Sequence, residues 1–322
     1  YSSAILDAYN FLLTNFPEVF VMGQGLWSPW YVGSSMNDLE KQFGKHRILD
    51  TPVSENASTG MALGAALTGM KAVVIHPRMD FMILATDQIV NQAAKWQSML
   101  GGGLKVPLTI RGIINRGGEQ GAQHSQALHS WFAHIPGLKV VLPSTVSDAR
   151  DLLIASVLSP DPVIFIDDRW LYMQEDELPP VTEINLLDQK PSISKKGSDI
   201  TIVSSGHTSL LSREASEILN NENISAEVID VRVLNPFYVN DIILSVEKTK
   251  NLLVVDSGTL TAGFSAEIIS KVVENISNDC LASRPKRLAL PDAPAPTSRV
   301  LEKDYYIYPE DIVKEVKKVL KA

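Results

Sequence analysis

A lone carboxylate at the head of a small-residue segment is the first candidate for chemistry. The stretch DTPVSENASTGMALGAALTG runs from Asp50 to Gly69 and carries Glu55 just before a run of alanines and glycines. Ser54 can cap a helix that begins here, and the helix dipole favours an acid in the first turn by about 0.3–1 kcal/mol. Glu55 is therefore either a helix-stabilising charge or an acid placed for a reaction.

The glycines of this segment need an explanation of their own. Gly60 and Gly64 fall inside the predicted helix, where each costs about 1 kcal/mol relative to alanine. A helix tolerates that cost where another backbone comes very close. Two interpretations stay open, namely tight packing of the helix on a sheet within one domain, or packing in a subunit interface.

His124 is the second candidate. It lies in INRGGEQGAQHSQALHSWFAHIPGLKVVLP, in a glycine-rich loop that follows a predicted strand. Ligands of open α/β sheets bind at the carboxyl ends of strands, which makes this polar cluster a candidate site. The alternative is a capping cluster of Ser125 and Gln126 with His124 as a bystander. His129 and His134 are five residues apart on the next helix, which is poor spacing for a metal.

Alternating strands and helices must position these residues. Short apolar runs predict strands at Val19–Met22, Ala72–His76, Pro107–Arg111, Lys139–Leu142 and Val163–Ile166. Helical patterns lie between them at Ala4–Leu13, Ala57–Thr68, Ile83–Met99 and Val146–Leu158. Such alternation favours a doubly wound parallel sheet and the α/β class.

The pattern breaks once and then resumes. An acidic run and Pro179-Pro180 make residues 172–197 an extended linker, because proline fixes φ and removes a hydrogen-bond donor. A second α/β block follows and closes with an amphipathic helix over Pro309–Leu320. We therefore predict one domain over residues 1–171 and a second over 198–322.

Composition excludes several classes of protein. The chain has 322 residues, 45% of them hydrophobic, with a net charge of −8, so no electrostatic case for nucleic acid exists. Cys280 is the one cysteine, which excludes a disulfide framework and any paired-cysteine metal site. No apolar run approaches the length of a membrane span. A reducing, cytoplasmic setting is the expectation.

Taken together, the motifs are familiar. They occur in order as VFVMG, RILDTPVSE, GMALGAALTGMKAVV, DFMILATDQIVNQAAK, AQHSQALHSWFAHIPGLKVVLPST and LLIASVLSPDPVIFID, followed by DSGTLTAGFSAEI. The chain closely resembles the β subunit of the 2-oxoacid dehydrogenase E1 component, in the pyruvate and branched-chain class. The resemblance covers nearly the whole chain. It implies a transketolase-like pyrimidine-binding domain followed by the transketolase C-terminal domain.

The resemblance also implies roles for particular residues. Glu55 matches the glutamate that hydrogen-bonds N1′ of the aminopyrimidine of thiamine diphosphate and so activates the cofactor. Phe81 matches the aromatic residue that stacks on this ring, and Val53 matches an apolar residue of its pocket. His124 matches the histidine tied to proton transfer or acyl transfer. Gln24 stands where relatives carry an acid near the glutamate, and we expect it at the cofactor as well.

The chain lacks half of such a site. Thiamine diphosphate enzymes hold Mg²⁺ and the diphosphate with a GDG motif and a later asparagine, and no GDG occurs here. We therefore expect no metal ligands in this chain and an E1 α-type partner in an α2β2 heterotetramer. The resemblance further implies a K⁺ site around Leu108, Ser156, Val157 and Asp161, although Ser159 stands where relatives often carry an acid.

Departures from the family cluster near the expected site. GQGL replaces the usual GEEV or GEDV, and Trp27 and Trp30 replace a glycine-rich loop. The tryptophans either pack the loop or reshape a substrate entrance. His76 and Arg78 add cationic or hydrogen-bonding character beside the pocket, and Arg78 is suited to clamping a carboxylate or phosphate.

Three functions follow from this reading. The leading one is a β subunit of a thiamine diphosphate enzyme that decarboxylates a 2-oxo acid, such as pyruvate, and passes the acyl group to lipoyl-E2. The second is a split transketolase-like or acyloin-forming enzyme that acts without E2 on a specialised metabolite or sugar. The third is a β-like binding subunit that has lost its chemistry.

Overall fold

The computed structural model describes residues 1–181 and 184–321 as two compact units. The first unit comprises Tyr1–Arg116 and Trp131–Gln189, and the second comprises Gly117–Ser130 and Lys190–Ala322. Thr182 and Glu183 of the predicted linker, and Ala322 at the end of the predicted second domain, lie outside the described residues. No described helix is long and apolar enough to cross a membrane.

Six parallel strands form the sheet of the first unit. They are β1 (Val19–Gly23), β2 (Ile48–Asp50), β3 (Lys71–His76), β4 (Leu108–Ile114), β5 (Lys139–Val141) and β6 (Val163–Asp168). Within this unit they lie in the order β5-β6-β4-β3-β1-β2. Every pairing between these neighbours is parallel, so their carboxyl ends share one edge.

Helices cover both faces of this sheet. They are α1 (Ser2–Asn15), α2 (Leu39–Phe43), α3 (Glu55–Leu67), α4 (Met79–Met82), α5 (Ala94–Met99), α6 (His129–Ala133, which begins in the second unit) and α7 (Val146–Leu158). Side chains alternate along a strand, so Arg111 and its partner Ile75 face α1, while His76 and its partner Gly112 face α3 and α4. This two-sided cover confirms the doubly wound α/β prediction.

The second unit has its own sheet. Its strands are β7 (Ser192–Lys195), β8 (Ile200–Ser204), β9 (Ala226–Asp230), β11 (Leu252–Thr259) and β12 (Lys286–Leu290), and the unit also contains the short strand β10 (Val233–Asn235), which is not part of this sheet. The sheet has the order β12-β11-β8-β9-β7, and only β7 runs antiparallel to its neighbour. Its helices are α8 (His207–Asn221), α9 (Asn240–Thr249), α10 (Phe264–Asn275), α11 (Arg299–Tyr305) and α12 (Pro309–Val319).

Two elements differ from the sequence-based expectation. The helix predicted over Ile83–Met99 is divided into a 3₁₀ turn at Ile83–Ala85, a π segment at Asp87–Ala93, and α5. A π turn widens the helix by one residue, which a count of apolar spacing does not reveal. Within the stretch 172–197, Ser192–Lys195 forms an edge strand, because its backbone pairs with β9.

A buried ion pair ties the first sheet together. Arg111 on β4 donates from Nε and Nη2 to the two carboxylate oxygens of Asp167 on β6, at 2.9 and 2.8 Å. Both side chains are fully buried. Arg111 also donates to the Ser35 hydroxyl at 2.9 Å and to the Tyr172 hydroxyl at 3.1 Å. All three nitrogen atoms of the Arg111 guanidinium group therefore donate hydrogen bonds.

We expect Asp167→Leu to lower the free energy of unfolding of the first unit by about 3–5 kcal/mol, because it leaves the Arg111 charge buried and unpaired. Urea unfolding followed by circular dichroism measures the change. The double variant Arg111→Met/Asp167→Leu removes both charges and should recover most of the loss. A single variant as stable as the wild-type chain would contradict this assignment.

Candidate active site

The carboxyl edge of the first sheet gathers the candidate residues. Gln24 follows β1, and His76 ends β3, while Asn115 follows β4 and donates to the Pro77 carbonyl at 3.0 Å. Gly23, the last residue of β1, lies so close to β3 that a Cβ at this position would be 2.5 Å from the Ile75 carbonyl oxygen. The close approach of the two strands therefore requires glycine. In a parallel sheet the loops at this edge form the usual ligand site.

Glu55 is the first residue of α3 and is only 5% exposed. Ser54 precedes it as expected, but the Ser54 side chain accepts no capping hydrogen bond in the structure. None of the described residues donates a hydrogen bond to the Glu55 carboxylate. A largely shielded carboxylate with no donor among the described residues is suited to a ligand that donates to it.

His76 lies beside Glu55 and is 1% exposed. Its Nε2 is 3.1 Å from the Thr59 hydroxyl on α3, and its Nδ1 has no partner among the described residues. Burial lowers the pKa of His76 from 6.5 to about 4, although the nearby Glu55 opposes the shift. His76 is therefore neutral at pH 7. Of the two expected roles, it can act as a hydrogen-bonding group but not as a cation.

The other predicted cofactor residues differ in exposure. Gln24 is buried, whereas Val53 is 76% and Phe81 36% exposed. Val53 stands two residues before Glu55, and Phe81 lies in α4, directly after the strand that ends in His76. All of these residues belong to the first unit, and His76 couples α3 to β3. The apolar side chains of Val53 and Phe81 are therefore accessible to a ligand, and they lie in the segments that follow the strands, as does the buried Glu55.

One face of α3 packs inside the unit and the other does not. Thr59, Ala62 and Ala66 are buried against the sheet. Met61 on the opposite face is 65% exposed, and a Cβ on Gly64 would meet no atom within 4 Å. Packing within this chain therefore does not require Gly64, which favours the subunit-interface interpretation of the glycines.

The two tryptophans behave differently. Trp27 donates from Nε1 to the Ile48 carbonyl at 3.0 Å and lies under the Lys45 ammonium, which is 4.0 Å from the ring centre. Trp30 is largely exposed and contacts Tyr31 edge-on, with ring centres 5.9 Å apart. Trp27 thus packs the loop, while Trp30 presents an aromatic surface to solvent.

His124 belongs to the second unit, in a 3₁₀ turn at Ala122–His124. Its neighbour Ser125 donates to the Gly121 carbonyl at 2.8 Å, which ties the turn to the glycine loop before it. The glycine loop before it is fixed within the unit, because the Glu119 amide donates to Glu302 at 2.9 Å.

A second histidine anchors the end of this loop. His129 Nε2 lies 2.9 Å from Asp256 Oδ1, and both side chains are buried. The amides of Gly258 and Ser265 also donate to Asp256 at 2.9 Å, and these partners outweigh burial and lower the pKa of Asp256 to about 2. Sequence spacing gave no sign of this pair, because its members are 127 residues apart.

The side chains in the region expected to bind K⁺ make contacts within the unit, and the K⁺ site stays a prediction. The Ser159 hydroxyl accepts from the Asp161 amide at 3.1 Å, and the Lys139 ammonium lies 3.6 Å from Asp161 Oδ2. Across the described residues, no group of three histidine, cysteine, aspartate or glutamate side chains could hold a metal ion.

Comparison with known proteins defines the class. A family model described as "Transketolase, pyrimidine binding domain" matches residues 1–174, and one described as "Transketolase, C-terminal domain" matches residues 189–312. The solved structure of a split-gene transketolase, an inactive β4 tetramer, has a TM-score of 0.75 and 19% identity, covering 99% of this chain and 97% of that chain. That likeness shows the fold.

Closer relatives define the family. The β subunit of the pyruvate dehydrogenase E1 component from Porphyra purpurea is 37% identical over 285 residues, covering 88% of this chain and 86% of that protein. The β subunit of acetoin:2,6-dichlorophenolindophenol oxidoreductase from Bacillus subtilis (strain 168) is 37% identical over 275 residues, covering 85% and 80% of the two chains. The chain belongs to the transketolase-like family of E1 component β subunits.

The neutral His76 makes stability depend on pH. The His76 side chain takes up a proton near pH 6.5 in the unfolded chain, but only near pH 4 in the folded chain. The free energy of unfolding is therefore highest above pH 6.5 and decreases as the pH falls towards 4. We expect a loss of about 2 kcal/mol between pH 7 and pH 5. Urea unfolding of wild-type chain and His76→Gln at both values measures it, with the exposed His134→Gln as the control. Equal pH dependence in all three chains would contradict the assignment.

Proposed function

We propose that the chain is the β subunit of a heteromeric thiamine diphosphate enzyme that decarboxylates a 2-oxo acid and passes the acyl group to lipoyl-E2. The observation that carries this proposal is Glu55, an acid that is buried at the first turn of α3 with no hydrogen-bond donor among the described residues. Relatives named as pyruvate dehydrogenase E1 β subunits make pyruvate the first substrate to test.

The residues of the first unit fit the aminopyrimidine half of thiamine diphosphate. When bound, the cofactor supplies the nucleophilic carbon that adds to the 2-oxo group. Glu55 would hold N1′ of the pyrimidine, while Phe81 would stack on the ring and Val53 and Gln24 would line its pocket. His76 stays neutral beside Glu55 and therefore does not form an ion pair that would draw the carboxylate away from the ligand.

The diphosphate and Mg²⁺ need a second chain. This sequence contains no GDG motif, and its described residues offer no cluster of acids or histidines for a metal. An E1 α-type partner would supply both, in an α2β2 heterotetramer. The exposed face of α3, with Met61 and Gly64, is a surface on which another chain can pack closely.

His124 is proposed as the group that transfers a proton or assists acyl transfer. Its loop is held by the Glu119–Glu302 hydrogen bond before it and by the His129–Asp256 pair after it. A loop fixed at both ends limits the freedom of a half-buried imidazole. Such restriction suits a general acid or base, because proton transfer depends on position before it depends on pKa.

A second function keeps the cofactor and changes the acceptor. One relative is named an acetoin oxidoreductase β subunit, and at 37% identity it is as similar as the Porphyra pyruvate dehydrogenase subunit. An enzyme that cleaves or forms an acyloin or transfers a ketose fragment would need no lipoyl-E2. Turnover with aldehyde or ketose acceptors and none with lipoamide would favour this second function.

The buried free Cys280 agrees with the reducing, cytoplasmic compartment that we propose. Its thiol is shielded from solvent, so it would not form a disulfide bond in an oxidising compartment.

We expect Glu55→Gln, purified with its native partner, to lose at least about a hundredfold in kcat, because an amide cannot exchange a proton with the cofactor as a carboxylate does. Release of CO₂ from pyruvate measures kcat, and native mass spectrometry checks that the complex is intact. Glu247→Gln, which removes an exposed glutamate from α9, is the matched control. Full activity of the Glu55→Gln complex would contradict the proposed role.

A further inference from the structure

Three arginines follow three adjacent strands of the first sheet. Arg78 follows β3, Arg116 follows β4 and Arg169 follows β6, and β4 lies between the other two strands. All three therefore stand at the carboxyl edge, where Glu55 and Phe81 also lie. Of the three, sequence analysis singled out Arg78 alone.

The middle arginine is neutralised within the unit. Arg116 donates from Nη2 to Asp168 Oδ2, and both side chains are buried. The Arg116 guanidinium also lies over the Trp170 ring, 5.5 Å from its centre. The other oxygen of Asp168 accepts from the Trp170 amide at 3.0 Å. Both oxygens of Asp168 therefore accept from Arg116 and Trp170, and Arg169 does not donate to either of them.

Arg169 is held in place without a counter-charge. Its Nη2 donates to the Tyr31 carbonyl, which anchors the side chain to the loop after β1. Its Nε is buried and has no hydrogen-bond partner among the described residues. A carbonyl oxygen satisfies one donor of the fork but does not neutralise the charge.

Arg78 is the more weakly satisfied of the pair. It is half-buried, and it donates no hydrogen bond to any residue that the structure describes. Burial lowers the pKa of Arg78, and the neighbouring Arg169 lowers it further, while Tyr31 and Asp80 act in the opposite direction. Arg78 and Arg169 follow strands that are separated by β4 alone, and Tyr31, whose carbonyl accepts from Arg169, also acts on Arg78.

A pair of like charges, partly removed from water and incompletely hydrogen-bonded, destabilises the free protein. An anion between the two groups would reduce the repulsion between their charges and accept hydrogen bonds from the N–H groups that have no partner. Guanidinium groups form bidentate hydrogen bonds with carboxylates and phosphates. The first unit therefore presents incompletely bonded guanidinium donors at the ends of β3 and β6, and β3 ends in His76, which lies beside Glu55.

We infer that Arg78 and Arg169 bind an anionic group, a carboxylate or a phosphate, that the substrate carries at a distance from its reacting carbon. This inference rests on the proposed function for the identity of the reaction. The bound group is not the carboxylate that leaves as CO₂, because a clamp on that group would stabilise the substrate more than the transition state and would slow its loss. The substrate class is thus a 2-oxo acid or ketose with a second anionic group.

Equilibrium binding tests the site without turnover. The complex purified from its host is saturated with thiamine diphosphate and Mg²⁺, so that added phosphate cannot report on the diphosphate's own site. Isothermal titration with inorganic phosphate and with glutarate then distinguishes the two anion chemistries. We expect at least one to bind, and Arg78→Gln to weaken it about tenfold or more, with Arg78→Lys in between. Arg284→Gln, which removes an exposed arginine from the second unit, should leave affinity unchanged.

Turnover separates this inference from the proposed function. Arg78→Gln should raise KM for the substrate with a second anionic group, 2-oxoglutarate or a ketose phosphate, about tenfold, whereas Arg284→Gln should leave this KM and the turnover of pyruvate unchanged. A complex that consumes pyruvate but binds neither anion overturns the anion site and leaves the proposed function standing. A complex that binds an anion through Arg78 but has no thiamine-dependent turnover supports the site and contradicts the proposed function.

Loss of assembly is also informative. If Arg78→Gln and Arg169→Gln both fail to purify with the partner chain while Arg284→Gln does, the arginines serve the subunit contact, and the anion site is overturned. If either variant assembles, its anion affinity decides the question.

Discussion

The candidate site depends on a carboxylate that the fold shields from most of the solvent and that accepts no hydrogen bond from a described residue. Glu55 begins α3 at a position that the fold largely shields, and the neighbouring His76 remains neutral. Such a group is costly to keep unless a ligand repays the loss of hydration. The surrounding features, namely the exposed Val53 and Phe81 and the unpacked face of α3, are those of a site that a ligand and a second chain complete.

The parallel sheet explains how distant residues meet at this site. Since all six strands of the first unit run in the same direction, the loops after β1, β3, β4 and β6 converge whatever their separation along the chain. The Arg111–Asp167 pair fastens β4 to β6 on the opposite face and so fixes the strand ends that carry Arg116 and Arg169. The rigid part of the fold thus determines the spacing of groups on its loops.

The sequence predicted most of the fold because periodic burial determines it. The runs at β1, β3, β4 and β6 and the helix α7 stood out, since their apolar residues follow strand and helix periods. The three-residue strand β2 and the π segment at Asp87–Ala93 did not, because neither has a period long enough to read. Motif resemblance indicated roles for Glu55, Phe81 and His124, and these roles stay predictions. Neither resemblance nor spacing could reveal the His129–Asp256 pair or the unsatisfied Arg169, which depend on contacts between remote segments.

The central claim is that this chain holds one half of a thiamine diphosphate site and that a second chain holds the other. The direct measurement is native mass spectrometry of the tagged chain purified from its own host, with the bound cofactor identified. The account predicts a complex with the mass of two copies of this chain and two of an E1 α-type chain, carrying thiamine diphosphate and Mg²⁺. A cofactor-free assembly of this chain alone would contradict it.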